Sequence, residues 1–140
     1  MEIDAKRLFS EGIEALDRCD FQLAISYLNQ VLAYLPKSIP TLSNLMFCYI
    51  QTKRFSDVVA ITNQILEIDI NNIDALHALA FAYRELSQFD SSLEVLDDIL
   101  TLDSKNIEAL NNKGAAFIKL NRHAEAVQIL NEALELQPSF

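Results

Sequence analysis

A unit of 34 residues is written four times in this chain, end to end, over segments 5–38, 39–72, 73–106 and 107–140. No insertion breaks the register, and only Met1 to Asp4 lie outside it. A fixed period of this length marks a helix–turn–helix unit that cannot bury its own apolar face and does so by stacking on its neighbours. The period therefore predicts an all-α chain of eight helices in four stacked hairpins, one domain over residues 1–140 by length. Stacked hairpins usually present an extended surface and contain no chemistry.

The recurring side chains say how each hairpin closes. Let places be counted from 1 at Ala5, Ile39, Ile73 and Ile107. Place 4 is Leu8, Leu42, Leu76 and Leu110, and place 11 is Ala15, Tyr49, Tyr83 and Phe117. With place 8 these form one stripe of a first helix at i, i+3, i+4 spacing. Places 17, 20, 24 and 27 form the stripe of a second helix, opened by Phe21, Phe55, Phe89 and His123. Place 8 is Gly12, Met46, Ala80 and Gly114, and place 20 is Ala24, Val58, Ser92 and Ala126. Small side chains at these two places let the backbones approach. Pro36 and Pro138 stop second helices. The spacing predicts helices near 4–17, 21–34, 40–52, 55–68, 73–86, 89–102, 107–120 and 123–136. Ser38, Asn72 and Asn106 suit N-caps, and Asp74 and Glu108 suit the positive ends of the helices they open.

These residues resemble those of the tetratricopeptide repeat (TPR) family over 136 of the 140 residues. Met46, Val58, Ser92 and His123 depart from the pattern, and Met46 opposite Val58 is expected to splay the second hairpin. The longer pentatricopeptide repeat, which reads RNA, fits less well. Its usual period is one residue more, and this chain is acidic. The resemblance implies a right-handed α-solenoid whose first helices line a concave groove and bind proteins or peptides.

Charge and composition narrow the partners. Apolar residues make up 51% of the chain, with two Gly and three Pro, which suits helices joined by short turns. The formal charge is −9, and five of those charges fall in the third unit. Asp90, Glu94, Asp97 and Asp98 share its second helix. No run of Lys or Arg provides the footprint of a nucleic-acid or anionic-membrane binder. No apolar stretch approaches the ~20 residues of a membrane span. Cys19 and Cys48 are no disulfide framework and read as free thiols in a reducing compartment, here the cytoplasm, since the N-terminus lacks a secretory pattern.

Catalytic, metal and cofactor sites are not expected. His77 and His123 are the only histidines and fall in different units, and no metal-ligand spacing or Gly-rich phosphate loop occurs. The expected function is a protein-interaction scaffold rather than an enzyme.

On the geometry the resemblance implies, places 2, 5, 6, 9, 12 and 13 face the groove. The candidate binding residues are Phe9, Ile13, Asn44, Phe47, Ile50, His77, Phe81, Arg84 and Asn112. Ala78 falls on the same face. The basic clamp with which some TPR co-chaperones hold a chaperone's C-terminal carboxylate is missing, because Phe9, Ile13, Asp74 and Ala78 replace its key positions. The expected ligand is an apolar peptide or amphipathic helix rather than an acidic tail, with Asn44 and Asn112 holding its backbone. In the alternative, the chain is a structural or oligomerisation module with no free peptide ligand.

Places 21 and 28 hold apolar residues that a following unit covers: Ile25 and Leu32, Val59 and Leu66, Leu93 and Leu100. Val127 and Leu134 occupy these places in the fourth unit. The expectation is that the chain is excised from a longer protein, or that this face meets a second copy in a homodimer.

Overall fold

The computed structural model describes residues 2–137, with side chains from Asp4 onward. Its elements are α1 (Glu2–Asp17), α2 (Phe21–Tyr34), α3 (Ile39–Gln51), α4 (Phe55–Ile68), α5 (Ile73–Glu85), α6 (Phe89–Leu102), α7 (Ile107–Lys119) and α8 (His123–Leu136). Each lies within two residues of its expected bounds. No strand occurs among the described residues, and the fold is all-α. Pro138, expected to stop the last helix, lies outside them.

The local signals act as the residue types require. Ser38 Oγ accepts from the Thr41 amide, Asn72 Oδ1 from Ala75 and Asn106 Oδ1 from Ala109. Each satisfies one of the orphan amides of a helix start. Asp20 caps α2 in the same way, accepting from the Leu23 amide.

The turn inside each hairpin has one construction throughout. Cys19, Lys53, Ser87 and Asn121, all at place 15, have φ between 58° and 60°. In each turn this residue's amide donates three residues back and the next amide donates five residues back. The pairs are Cys19→Leu16 and Asp20→Ala15, Lys53→Ile50 and Arg54→Tyr49, Ser87→Arg84 and Gln88→Tyr83, and Asn121→Ile118 and Arg122→Phe117. This is the Schellman closure, which usually puts glycine in the left-handed position. Here four side chains bear that conformation instead.

In two hairpins an arginine at place 16 clasps the corner. Arg54 stacks 4.8 Å from the Tyr49 ring centre and donates to Asp57 at 2.8 Å. Arg122 stacks 4.8 Å from the Phe117 ring centre and donates to Glu125 at 2.7 Å. The second hydrogen bond holds the Arg122 guanidinium above its ordinary pKa and Glu125 below the usual carboxylate range. Both groups are solvated, so the clasp fixes direction more than it adds stability.

The chain divides into two compact units, Met1–Ala75 and Leu76–Phe140. In the first, Leu28, Val31, Leu42, Leu45, Val58 and Ile65 are fully buried. Cys48 lies among the fully buried residues, and that burial pushes its thiol up to about 11. Gly12 lets α1 approach α2 closely, with a Cβ at that position falling 3.1 Å from Leu28 Cδ2.

In the second unit, Leu93, Ala116, Phe117 and Ala126 form a core cluster, with Leu120 and Ile129 packed against it. Ser92, a departure at a small-residue place, is buried. Its hydroxyl donates to the Ala80 carbonyl at 2.9 Å, joining α6 to α5 through the place opposite. Lys113 of α7 pairs with Asp97 of α6 at 2.7 Å, so part of the acidic run on α6 is neutralised within the fold.

Candidate peptide-binding surface

In the first unit the candidate residues sit on α1 and α3. Phe9, Ile13, Asn44 and Ile50 are half-buried. Phe47 retains 42% of its surface in water. Its ring is not loose, because it meets the half-buried Phe21 ring edge-on, with centres 6.2 Å apart and planes at 64°. Such pairs favour this geometry through their quadrupoles. Phe21 belongs to the second-helix stripe and was not among the expected site residues. The signal for it is the phenylalanine that recurs at place 17.

Asn44 donates through Nδ2 to the Pro40 carbonyl, 2.8 Å away in its own first turn. The amide expected to meet a ligand backbone therefore has one of its two N–H donors engaged within its own helix. Its oxygen and its second N–H are the groups with which it can meet a partner.

In the second unit the candidates sit on α5 and α7. Phe81, His77, Arg84 and Asn112 are half-buried, and Ile118 is 47% exposed. The Arg84 guanidinium lies 5.0 Å from the Phe81 ring centre and pairs with Glu85 at 3.5 Å. Phe81 is thus shielded where Phe47 is open, and the two are not equivalent anchors. His77 Nδ1 is buried without a hydrogen-bond partner and lies 3.9 Å from Glu108 Oε1. Ala78, placed on this face by the spacing, is buried instead.

The arrangement offers apolar contact with a few polar groups. Among the described residues no three His, Cys, Asp or Glu side chains gather as a metal site. No described helix is long and apolar enough to cross a membrane. On α8, Val127 is 60% and Leu134 64% exposed, whereas Ile25 and Leu93 at place 21 are 6% and 8% exposed.

Two tetratricopeptide-repeat family models match the sequence, over residues 15–80 and 107–140. A comparison with curated protein sequences returns no significant match. Among solved structures, MamA 41-end from Desulfovibrio magneticus RS-1 is similar at 18% identity with a TM-score of 0.85, covering 95% of this chain and 75% of its own. A tetratricopeptide repeat protein from Parabacteroides merdae has 21% identity and a TM-score of 0.88, covering 97% of this chain and 55% of its own. YrrB, described as a TPR protein with an unusual peptide-binding site, has 14% identity and a TM-score of 0.86, covering 96% of this chain and 70% of its own.

Proposed function

This chain belongs to the tetratricopeptide-repeat family, and from that premise we propose that it is a protein-interaction scaffold binding an apolar peptide or amphipathic helix on its first-helix faces. The carrying observation is Phe47. A large ring stands in water with one edge braced against Phe21, whose centre is 6.2 Å away. An anchor fixed before binding loses little freedom when it binds, and buried aromatic anchors dominate most interfaces. Ile118 offers a second exposed apolar contact in the other unit. Asn44 beside Phe47, and Asn112 on the first-helix face of the other unit, can orient a backbone without demanding a charged ligand. YrrB, similar in fold, is described as a TPR protein with an unusual peptide-binding site, which agrees with this reading.

Phe47→Glu tests it. Beads carrying the wild-type chain should retain at least one protein from a cell extract that beads carrying the variant lose. Identical retention on both would refute the assignment. The exposed Val127 and Leu134 favour a second reading, in which α8 pairs with α8 of a second copy. A compartment of action in the cytoplasm belongs to the same proposal.

A further inference from the structure

The connector between α2 and α3 differs from its counterparts in a way that folding does not require. The α4–α5 and α6–α7 connectors place Asp at place 31. There Asp69 Oδ1 accepts from the Asn71 amide and Asp103 Oδ1 from Lys105, both at 3.3 Å. These are Asx turns, the side chain closing what the backbone leaves open. The first connector holds Leu35 at that place. Its backbone bends alike, with the Ser38 amide on the Leu35 carbonyl at 3.2 Å, matching Asn72 on Asp69 and Asn106 on Asp103. Leu35 cannot make the side-chain bond, and 49% of it stays in water. At place 32 the second connector holds Ile70, 77% exposed, where the third holds Ser104. Two polar turn residues are thus replaced by exposed aliphatic ones, in the first unit only.

The surface around Leu35 is concave, and Ile70 follows two residues after Ile68 at its border. Tyr34, Leu35, Pro36, Lys37 and Ser38 line a hollow of about 480 Å³. Pro36 and Lys37 also border a second hollow of about 510 Å³, closed by Gln64, Glu67 and Ile68 of α4. Tyr34 and Ile68 are exposed as well. The volumes lie in the range of ligand sites, and clustered apolar exposure marks an interaction surface.

Charge selects the occupant. Neither α2 nor α4 has a basic residue in its last turn, so the negative ends of both helix dipoles are uncompensated there. Glu67 and Asp69 add two carboxylates against Lys37. Two copies meeting through this same face would bring these carboxylates and helix ends against their own kind. We propose that Tyr34, Leu35, Pro36, Ile68 and Ile70 form a second docking surface, separate from the first-helix face. Its occupant is a segment of another protein carrying a large apolar side chain next to Lys or Arg.

The repeat supplies its own control variant. Leu35→Asp with Ile70→Ser installs residues that the third connector already uses in the same bend, so the fold should persist with an unchanged or higher melting temperature. The full chain is used to select dodecapeptides from a random phage-displayed library, and binding of the selected peptides is read by fluorescence anisotropy. The expected peptides pair a Leu, Ile, Phe or Tyr with Lys or Arg. Their affinity should fall about tenfold or more in the double variant and severalfold in Glu67→Lys, while Phe47→Glu leaves it unchanged. No enrichment would overturn the proposal, as would peptides that bind the folded double variant at full strength. A selection whose peptides are all lost only in Phe47→Glu would also overturn it, while leaving the first-helix site standing.

Discussion

Gly12 and Gly114 occupy the same place in two hairpins, and replacing each with alanine should have different consequences. On helix propensity alone, Gly→Ala in a helix interior stabilises by about 1 kcal/mol. Space decides the sign. At Gly12 the new Cβ would lie 3.1 Å and 3.2 Å from Leu28 Cδ2 and Cγ, and 3.4 Å from Tyr27 Cβ. Leu28 is fully buried, so a shift of a few tenths of an ångström meets firm neighbours, and the gain should be roughly cancelled. At Gly114 the Cβ would lie 2.5 Å from Leu130 Cδ2 and 2.6 Å from its Cγ. Carbon atoms prefer roughly 3.5–4.0 Å, so the whole Leu130 side chain must swing out or the helices must part. Overpacking of this kind costs roughly 1–3 kcal/mol. Gly114→Ala should therefore destabilise by about 1 kcal/mol net, lowering the melting temperature by about 4 °C. Removing the obstacle should reverse the sign: in a Leu130→Ala background, Gly114→Ala should stabilise. Thermal and urea unfolding followed by circular dichroism measures all four corners of the cycle. A Gly114→Ala chain that is stabilised equally in both backgrounds would refute the steric account.

Lys53→Gly should stabilise by about 0.5–1 kcal/mol, because the left-handed conformation burdens a β-carbon. Asn121→Gly should gain less, since asparagine tolerates that region, and equal gains in urea unfolding would contradict this. Thiol labelling of the native chain near pH 8 should modify Cys19 and spare Cys48, which is buried with its pKa pushed up to about 11. Labelling of both at one rate would count against the packing around α3. Val127→Lys with Leu134→Lys should abolish any concentration-dependent dimer seen by light scattering while leaving helicity intact. A wild-type chain that stays monomeric at hundreds of micromolar would rule out the α8 pairing.

Helix positions were legible because the period fixes them and the stripe residues repeat. The caps at Ser38, Asn72 and Asn106 were legible for the same reason, since a polar residue before a periodic run has one cheap use. The Schellman turns were hidden, because their usual mark is glycine and Cys19, Lys53, Ser87 and Asn121 share no chemistry. The site was legible as a face but not in its exposures. Phe47 and Phe81 hold one place in the repeat, yet one ring rests edge-on against Phe21 and the other lies under Arg84. Phe21 reaches Phe47 from another helix, whereas Arg84 lies three residues beyond Phe81 on α5 itself, where the third repeat departs from the Ile50 of the second. Asn44 donates back to the Pro40 carbonyl four residues earlier, a local bond that the residue type allows but does not dictate.

The most direct measurement of the central claim is amide chemical-shift mapping of the labelled chain. The titrant is the binding segment of a protein that wild-type beads retain and Phe47→Glu beads lose. The largest shifts should fall on α3 around Asn44, Phe47 and Ile50, and the same titration into Phe47→Glu should leave its spectrum unmoved. Shifts confined to α8, or an undiminished response from the variant, would contradict the claim that the Phe47 face is the binding site.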